Sequence, residues 1–403
     1  MATVEQVHGA AVPDVPAGVD SRRAWLVVAA TMLATFTVFG VTYSFGTFFK
    51  EMSGEFGTGN GSTALMFGLT TFFLFVLSLP AGRLADRFGP RPVVLVSAAT
   101  MGTGLLLTSN VSNLWLGYIT YGFGVGVATA CAYVPMVSQV SGWFDRRRAA
   151  ALGVAVSGIG LGTLFGPRLA SRLIDAHGWR DTYRIFAVVA VAALVLASFG
   201  AERAPVRPAA TPLDLRAVVR TPAFRSLYIS GLLLGLALFV PFVFLPKYAQ
   251  DHGISSETAA LLLSFLGVGS LIGRLVLGPL GGRLGVLRLY WLCFLVMAGS
   301  FVIWLVGRGT FAVLATFAVI LGIAYGGYVA LAPAVSAHLF GLSGLGAILG
   351  AMYTASGVGG LVGPPVAGWL IDLTDGYEAA IVFALVSAAT AGVFLRGAIA
   401  RPT

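Results

Sequence analysis

Long apolar runs separated by short polar stretches divide the chain. They fall at about 25–49, 62–80, 93–109, 114–140, 149–173 and 182–200, and again at about 224–248, 256–280, 287–306, 310–337, 344–370 and 377–395. Each is close to the ~20 residues an α-helix needs to cross a hydrocarbon core. The pattern therefore predicts an all-α integral membrane protein with twelve transmembrane helices. One long polar interruption breaks the series at 201–223, where Glu202, Arg203, Pro205, Arg207, Pro208, Pro212, Asp214, Arg216, Arg220 and Pro222 crowd together. This segment reads as a linker. The predicted organisation is a tail (1–24), a six-helix bundle (25–200), the linker (201–223), a second six-helix bundle (224–395) and a short tail (396–403).

Composition narrows the class. Hydrophobic residues make up 57% of the 403 and charged residues only 10%, against about 25% charged in soluble domains. A soluble globular enzyme is excluded. The 53 glycines and 18 prolines suit membrane helices, which tolerate both. A net charge of +9 would fit nucleic acid only if it formed a basic face with interleaved aromatics, and the arginines instead sit in short clusters between apolar runs. With the amino terminus in the cytoplasm, seventeen of the 25 Lys and Arg residues fall in cytoplasmic segments and six outside or at outer helix ends. The remaining two, Arg168 and Arg274, lie within apolar runs. This positive-inside bias places both termini in the cytoplasm of a multi-pass plasma (inner) membrane protein. Residues 1–23 lack the basic start and cleavage site of a removable signal peptide.

The two halves repeat each other. Gly82-Arg-Leu-Ala-Asp86-Arg87-Phe-Gly89-Pro-Arg91 follows the second run, and Gly278-Pro-Leu-Gly-Gly282-Arg283-Leu-Gly285 follows the eighth. Phe165-Gly166-Pro167 returns as Val362-Gly363-Pro364, and Leu173-Ile174-Asp175 as Leu370-Ile371-Asp372, both 197 residues on, against 196 for the loop match. Repeated halves place a substrate site near the midplane where the bundles meet, with access alternating as one rocks against the other. The loop Gly82…Asp86-Arg87…Gly89-Pro90-Arg91 resembles the loop between helices 2 and 3 of the major facilitator superfamily, with Pro90 in place of a usual basic residue. The resemblance runs from Trp25 to Leu395. It implies two pseudo-symmetric six-helix bundles and a gating role for Gly82, Asp86, Arg87, Gly89 and Arg91.

None of the 16 acidic residues falls deep in a predicted helix, so the membrane interior offers no carboxylate to bind a cation or relay a proton. Arg274 is the exception to this apolar interior. Nine residues of helix, about 14 Å, separate it from Arg283, and a charge at that depth costs about 2.5–3.5 kcal/mol. One reading is an anion site whose counter-ion is the substrate carboxylate, held bidentately by the planar guanidinium. The alternative is an arginine that snorkels to the cytoplasmic interface or bonds carbonyls of a neighbouring helix. Arg168, with Arg172 and Asp175 nearby, reads as an outer-interface residue.

A small organic anion also needs hydroxyl donors and an apolar wall. Tyr43, Tyr133, Tyr325, Tyr328, Tyr353 and Ser356 are available, each with packing as its alternative role. Gly158, Gly162 and Gly166, like Gly359 and Gly363, are four apart, a spacing that lets helices approach closely. Cys131 and Cys293 lie in apolar runs, which disfavours a disulfide framework. The four histidines are scattered at ends and loops. No cofactor, metal site or catalytic residue is indicated.

A more specific resemblance is to the monocarboxylate-transporter and oxalate/formate-antiporter branch of the superfamily. Ser44-Phe45-Gly46-Thr47-Phe48-Phe49-Lys50-Glu51 resembles that branch's helix 1 exit, Trp143-Phe144-Asp145-Arg146-Arg147-Arg148-Ala149 its helix 4–5 loop, and Gly178-Trp179-Arg180 its helix 5–6 turn. Arg274 falls on the branch's substrate-binding arginine of helix 8. There are departures. Animal monocarboxylate transporters have an aspartate one turn earlier, where this chain has Ser270, and their helix 1 lysine aligns with Tyr43. The oxalate carrier has a second cation after Tyr-Thr-Ala, where Tyr353-Thr354-Ala355 is here followed by Ser356. One buried cation balances one carboxylate. The expectation is a secondary transporter of a monocarboxylate of the lactate or pyruvate type, coupled to protons, with the lipid bilayer as its surroundings and no nucleic acid. Organic anion exchange and drug/proton antiport are the alternatives.

Overall fold

The structure, a computed structural model, describes residues 19–205, 215–341 and 345–399. The amino tail to residue 18, the linker residues Arg207, Pro208, Pro212 and Asp214, and Arg401 lie outside the described residues. Every regular element described is helical: α1 (Arg22–Tyr43), α2 (Phe45–Phe56), α3 (Asn60–Phe88), α4 (Pro90–Thr108), α5 (Leu114–Gly117), α6 (Gly124–Trp143), α7 (Arg148–Phe199), α8 (Leu215–Arg220), α9 (Pro222–Leu238), α10 (Val240–Asp251), α11 (Ser256–Leu284), α12 (Val286–Val306), α13 (Phe311–Phe340), α14 (Leu345–Thr374) and α15 (Glu378–Ile399).

These elements make twelve crossings because some spans are broken and α7 holds two of them. The first crossing bends at Ser44, between α1 and α2, and the seventh at Phe239, between α9 and α10. Pro241 sits in the first turn of α10, where it has no N–H to give to the preceding helix. A π-helical turn, Tyr118–Phe123, interrupts the fourth crossing between α5 and α6. The apolar runs at 149–173 and 182–200 form the two separate helical parts of α7, which meet in a tight turn at Gly178 (φ 79°, ψ 163°), as Gly178-Trp179-Arg180 led us to expect. That left-handed φ is open to glycine and strained for other residues.

Twelve crossings return the chain to the side on which it started, so the described ends of α1 and α15 share one face. The first six crossings form one bundle and the last six the other. Two seams join them, α3 against α14 and α7 against α11, together with a contact of α2 with α10 near the opposite face. Glycines set the closeness of packing. Gly158, Gly162 and Gly166 lie against α1, where a Cβ on Gly162 would sit 2.5 Å from the Phe36 carbonyl. Gly359 and Gly363 lie in the same way against α9. Large apolar side chains such as Trp115, Leu196, Val306, Leu373 and Val393 point outward and are more than half exposed, as lipid-facing residues are in a membrane protein. Cys131 and Cys293 are buried and unbonded, one in each half.

Among the described residues, every ion pair that joins the halves lies at the face opposite the termini. Lys50 meets Asp251 (3.6 Å), and Arg172 and Arg168 meet Glu257 (2.8 and 3.7 Å). At the same level Asp372 takes hydrogen bonds from the Asn60 and Gly61 backbone N–H groups (3.0 and 3.1 Å) and from the Asn60 side chain (2.7 Å). Toward the middle of the molecule Arg274 bonds the Val156 carbonyl across the halves (3.2 Å). Among the described residues, the ion pairs between the halves are thus confined to the far face.

Candidate functional site

The packing of α11 determines where Arg274 points. Ser264 and Gly267 face α7: Ser264 Oγ donates to the Leu164 carbonyl (2.6 Å), and a Cβ on Gly267 would lie 2.7 Å from Leu164 N. Gly269 and Gly273 face the backbone of α13 around Val319 and Ile323. At about 100° of rotation per residue, Ser270 and Arg274 fall on the strip between these two contacts, turned toward the interior of the molecule.

Arg274 is 3% exposed. Its Nη1 donates to the Val156 carbonyl on α7 (3.2 Å), and its Cζ lies 5.6 Å from the Tyr325 ring centroid. Nε and Nη2 are buried without a hydrogen-bond partner, as is Ser270 Oγ. The two nitrogens form one edge of the planar guanidinium, the fork that matches both oxygens of a carboxylate. The cation does not snorkel. It does bond a neighbouring helix's carbonyl, the other alternative open from the sequence, but with one edge only. The cation–π contact contributes about 0.5–2 kcal/mol, and two donors remain unmatched in a low-dielectric interior.

Beside it lies a cavity of about 50 Å³ between the halves, several times the ~10–15 Å³ one water requires. Tyr43, Tyr133, Tyr325, Tyr328, Tyr353 and Ser356 all line it. Arg274 is set behind Tyr325 rather than in the cavity wall. Tyr43 and Tyr325 bond to each other across the halves through their hydroxyls (3.1 Å), and Phe242 packs on Tyr43 with ring centroids 4.3 Å apart. Tyr328 stacks on Tyr290 (5.5 Å). The remaining wall is apolar and includes Phe39, Phe75, Ile159, Leu238 and Phe239. These residues look like any other apolar helix position in the sequence, and no local signal marks them.

The loop residues Gly82, Asp86, Arg87, Gly89 and Arg91 sit at the terminal face. Gly89 ends α3 at φ 96°, its N–H bonded to the Ala85 carbonyl (2.8 Å). The Arg87 carbonyl accepts from Arg203 Nη2 (2.7 Å), and Arg91 lies over the Phe199 ring. Asp86 makes no ion pair among the described residues. At the far face, Tyr377 donates to Asp251 (2.6 Å) and Lys247 bonds to both. Burial, followed by that bond to Asp251, holds the Tyr377 phenol well above its ordinary pKa. Ser270 and the partners of Asp372 are the polar residues that sequence reasoning left without a role.

The family model described as Major Facilitator Superfamily matches residues 31–248 and again 227–403. Among curated relatives, the MFS-type transporter pynF of Aspergillus niger is 31% identical over 363 residues, covering 89% of this chain and 83% of its own. Monocarboxylate transporter 3 of Rattus norvegicus is 30% identical over 397 residues (93% and 80%), and monocarboxylate transporter 12-B of Danio rerio is 29% identical over 409 (91% and 86%). Of solved structures, a bacterial homologue of the human lysosomal transporter Spinster, inward-facing and occupied, superposes with a TM-score of 0.75 at 16% identity. It covers 94% of this chain and 97% of its own.

Proposed function

The chain belongs to the major facilitator superfamily, a membrane transporter whose relatives include monocarboxylate transporters, and from that premise we propose that it carries a small organic monocarboxylate across the plasma membrane. The observation that carries this reading is the free Nε–Nη2 edge of Arg274, buried beside the cavity between the halves. A lone buried cation with an unmatched fork is a socket for one carboxylate. The aromatic wall takes the rest of a short acid, and the hydroxyls of Tyr133, Tyr328, Tyr353 and Ser356 supply orienting polar contacts.

The positive-inside bias makes the terminal face cytoplasmic. The far-face ion pairs then close the protein to the outside. Transport requires the reverse state, in which the outer contacts of Lys50, Arg172 and Asp372 part and the cytoplasmic ends meet. The Gly82–Arg91 loop, with Asp86 unpaired in the present state, supplies the gating contact of that second state. A proton entering with the anion makes the cycle electrically neutral. Exchange of one acid for another is the competing coupling.

Proteoliposomes loaded with purified protein test both points, with labelled L-lactate, pyruvate and propionate as probes. Arg274→Gln is expected to lower kcat/KM by about a hundredfold or more, the scale of a lost charge-assisted contact. Undiminished uptake by that variant overturns the anion site. Uptake indifferent to an inward proton gradient rejects symport in favour of exchange.

A further inference from the structure

Buried hydroxyls in the helices of this protein nearly all have an acceptor. Thr31, Thr42, Ser44, Ser78, Thr163, Ser300 and Ser336 each donate to a carbonyl one turn back in their own helix. Ser264, on the same helix as Arg274, reaches across the seam to the Leu164 carbonyl (2.6 Å). This is the ordinary fate of a serine or threonine in an apolar helix, because an unmatched hydroxyl there costs about 1–3 kcal/mol. Ser270 departs from it. It is 1% exposed, and its Oγ has no partner. Thr47 shares that condition, but no unmatched cation stands one turn away from it.

Ser270 lies one turn before Arg274 on the interior strip of α11, so three unmatched donors occur together: Nε, Nη2 and Oγ. No carboxylate of the described residues reaches them. Tyr325, whose ring faces the guanidinium, has its hydroxyl engaged with Tyr43. Close packing holds the arrangement in place, since a Cβ on Gly326 of α13 would lie closer to the Ser270 carbonyl than any real contact allows. The Ser270 turn is therefore fixed against α13 while its side chain stays uncommitted.

Resting on the anion-site reading above, we propose that Ser270 is a substrate ligand: its hydroxyl donates to a carboxylate oxygen whose other lone pairs take the Arg274 fork. Three donors converge on a two-oxygen head. The serine sharpens affinity for an ionised carboxylate and discriminates against the corresponding neutral amide, which offers one acceptor oxygen and brings two donors of its own.

The test compares Ser270→Ala and Ser270→Thr with wild type and Arg274→Gln in the same proteoliposomes, using L-lactate, pyruvate and propionate. Ser270→Ala should raise KM roughly tenfold, the effect of losing one hydrogen bond to a charged group, with kcat changed far less. Ser270→Thr, which keeps the hydroxyl, should recover most of that affinity. In detergent, the thermal stabilisation of wild type by the same acids should weaken in Ser270→Ala while the melting temperature without ligand stays within a few degrees. A wild-type KM in Ser270→Ala, alongside lost uptake in Arg274→Gln, overturns the serine's role and leaves the anion site standing. Unimpaired uptake in Arg274→Gln, or none of these acids carried by wild type, removes both.

Discussion

The two seams that join the halves are related by the internal repeat, yet different chemistry holds them. Each pairs the second crossing of one half with the fifth of the other: α3 with α14, and α11 with the first part of α7. In both, glycines bring the backbones close, with Gly68 against the Leu361 carbonyl and Gly267 against Leu164. The differences lie at the outer ends and at mid-depth. The α3–α14 seam closes on the Asp372 carboxylate, which caps the first N–H groups of a helix from the other half. The α7–α11 seam closes on Arg172, Arg168 and Glu257, all substantially exposed. At mid-depth the first seam sets Phe75 against Tyr353 (5.6 Å), while the second holds Arg274 and Val156. A duplicated scaffold has thus put its buried charge on one side only. On the proposed anion-site reading the substrate's head group would belong to the α7–α11 seam, and the opposite seam offers a ring-lined wall.

The largest effect is expected where that shared feature, close backbone approach, is removed. In Gly267→Val the new Cβ would start 2.7 Å from Leu164 N and 2.8 Å from the Gly160 carbonyl. Both are backbone atoms that cannot turn aside, and overpacking of this kind costs about 1–3 kcal/mol or more. Uptake should vanish and the melting temperature in detergent should fall. Gly299→Val, where nothing stands within 4 Å, should keep both. Equal behaviour of the two variants would mean that the seam is looser than its geometry.

How much of this could be read beforehand depended on whether the signal was local. Apolar runs announced the crossings because each must supply its own lipid-facing surface. Arg274 stood out because a charge in such a run has no cheap explanation. Glycine spacing foretold close packing, found at Gly162 and Gly363. The turn that divides α7 was legible as well, because Gly178 supplies a φ value that few other residues tolerate. Ser270 looked like an ordinary small polar neighbour, because its lack of an acceptor exists only in three dimensions. Asp372 is one of the acids that fall outside the deep helix interior, with nothing in the sequence to name its partners. Its partners are mainly backbone N–H groups of residues 60 and 61, more than three hundred positions away, and backbone atoms leave no trace in sequence.

A sharper test of the seam comparison uses the repeat itself. Asp372 and Asp175 are counterparts and both are exposed, but Asp175 makes no hydrogen bond or ion pair among the described residues. Asp372→Ala removes a helix cap, a change of typically about 1 kcal/mol, together with a direct tie between the halves. The state open at the far face should gain population by roughly fivefold or more. Spin-label distances between the outer ends of α3 and α14 would report it. Asp175→Ala should leave that distance distribution unchanged. A matching shift in both variants would show that overall charge at the far face, rather than the cap, governs closure.

The smallest effect belongs to the other seam's outer end. Glu257 joins Arg172 and Arg168 with all three side chains 45–59% exposed. Pairs so exposed contribute about 0–1 kcal/mol, and salt screens them over about 8 Å at physiological ionic strength. Glu257→Gln should therefore open the α7–α11 seam only slightly at low salt, and the difference from wild type should disappear near 1 M salt. The shift in Asp372→Ala should persist there, because a cap made of direct hydrogen bonds to backbone N–H groups depends on geometry more than on long-range attraction. Spin labels at the outer ends of α7 and α11, read at both salt concentrations, separate the two cases. If the Glu257 variant opened its seam as far as the Asp372 variant opens the other, and held it open in high salt, the two seams would be energetically alike. The asymmetry would then be confined to Arg274 and its surroundings.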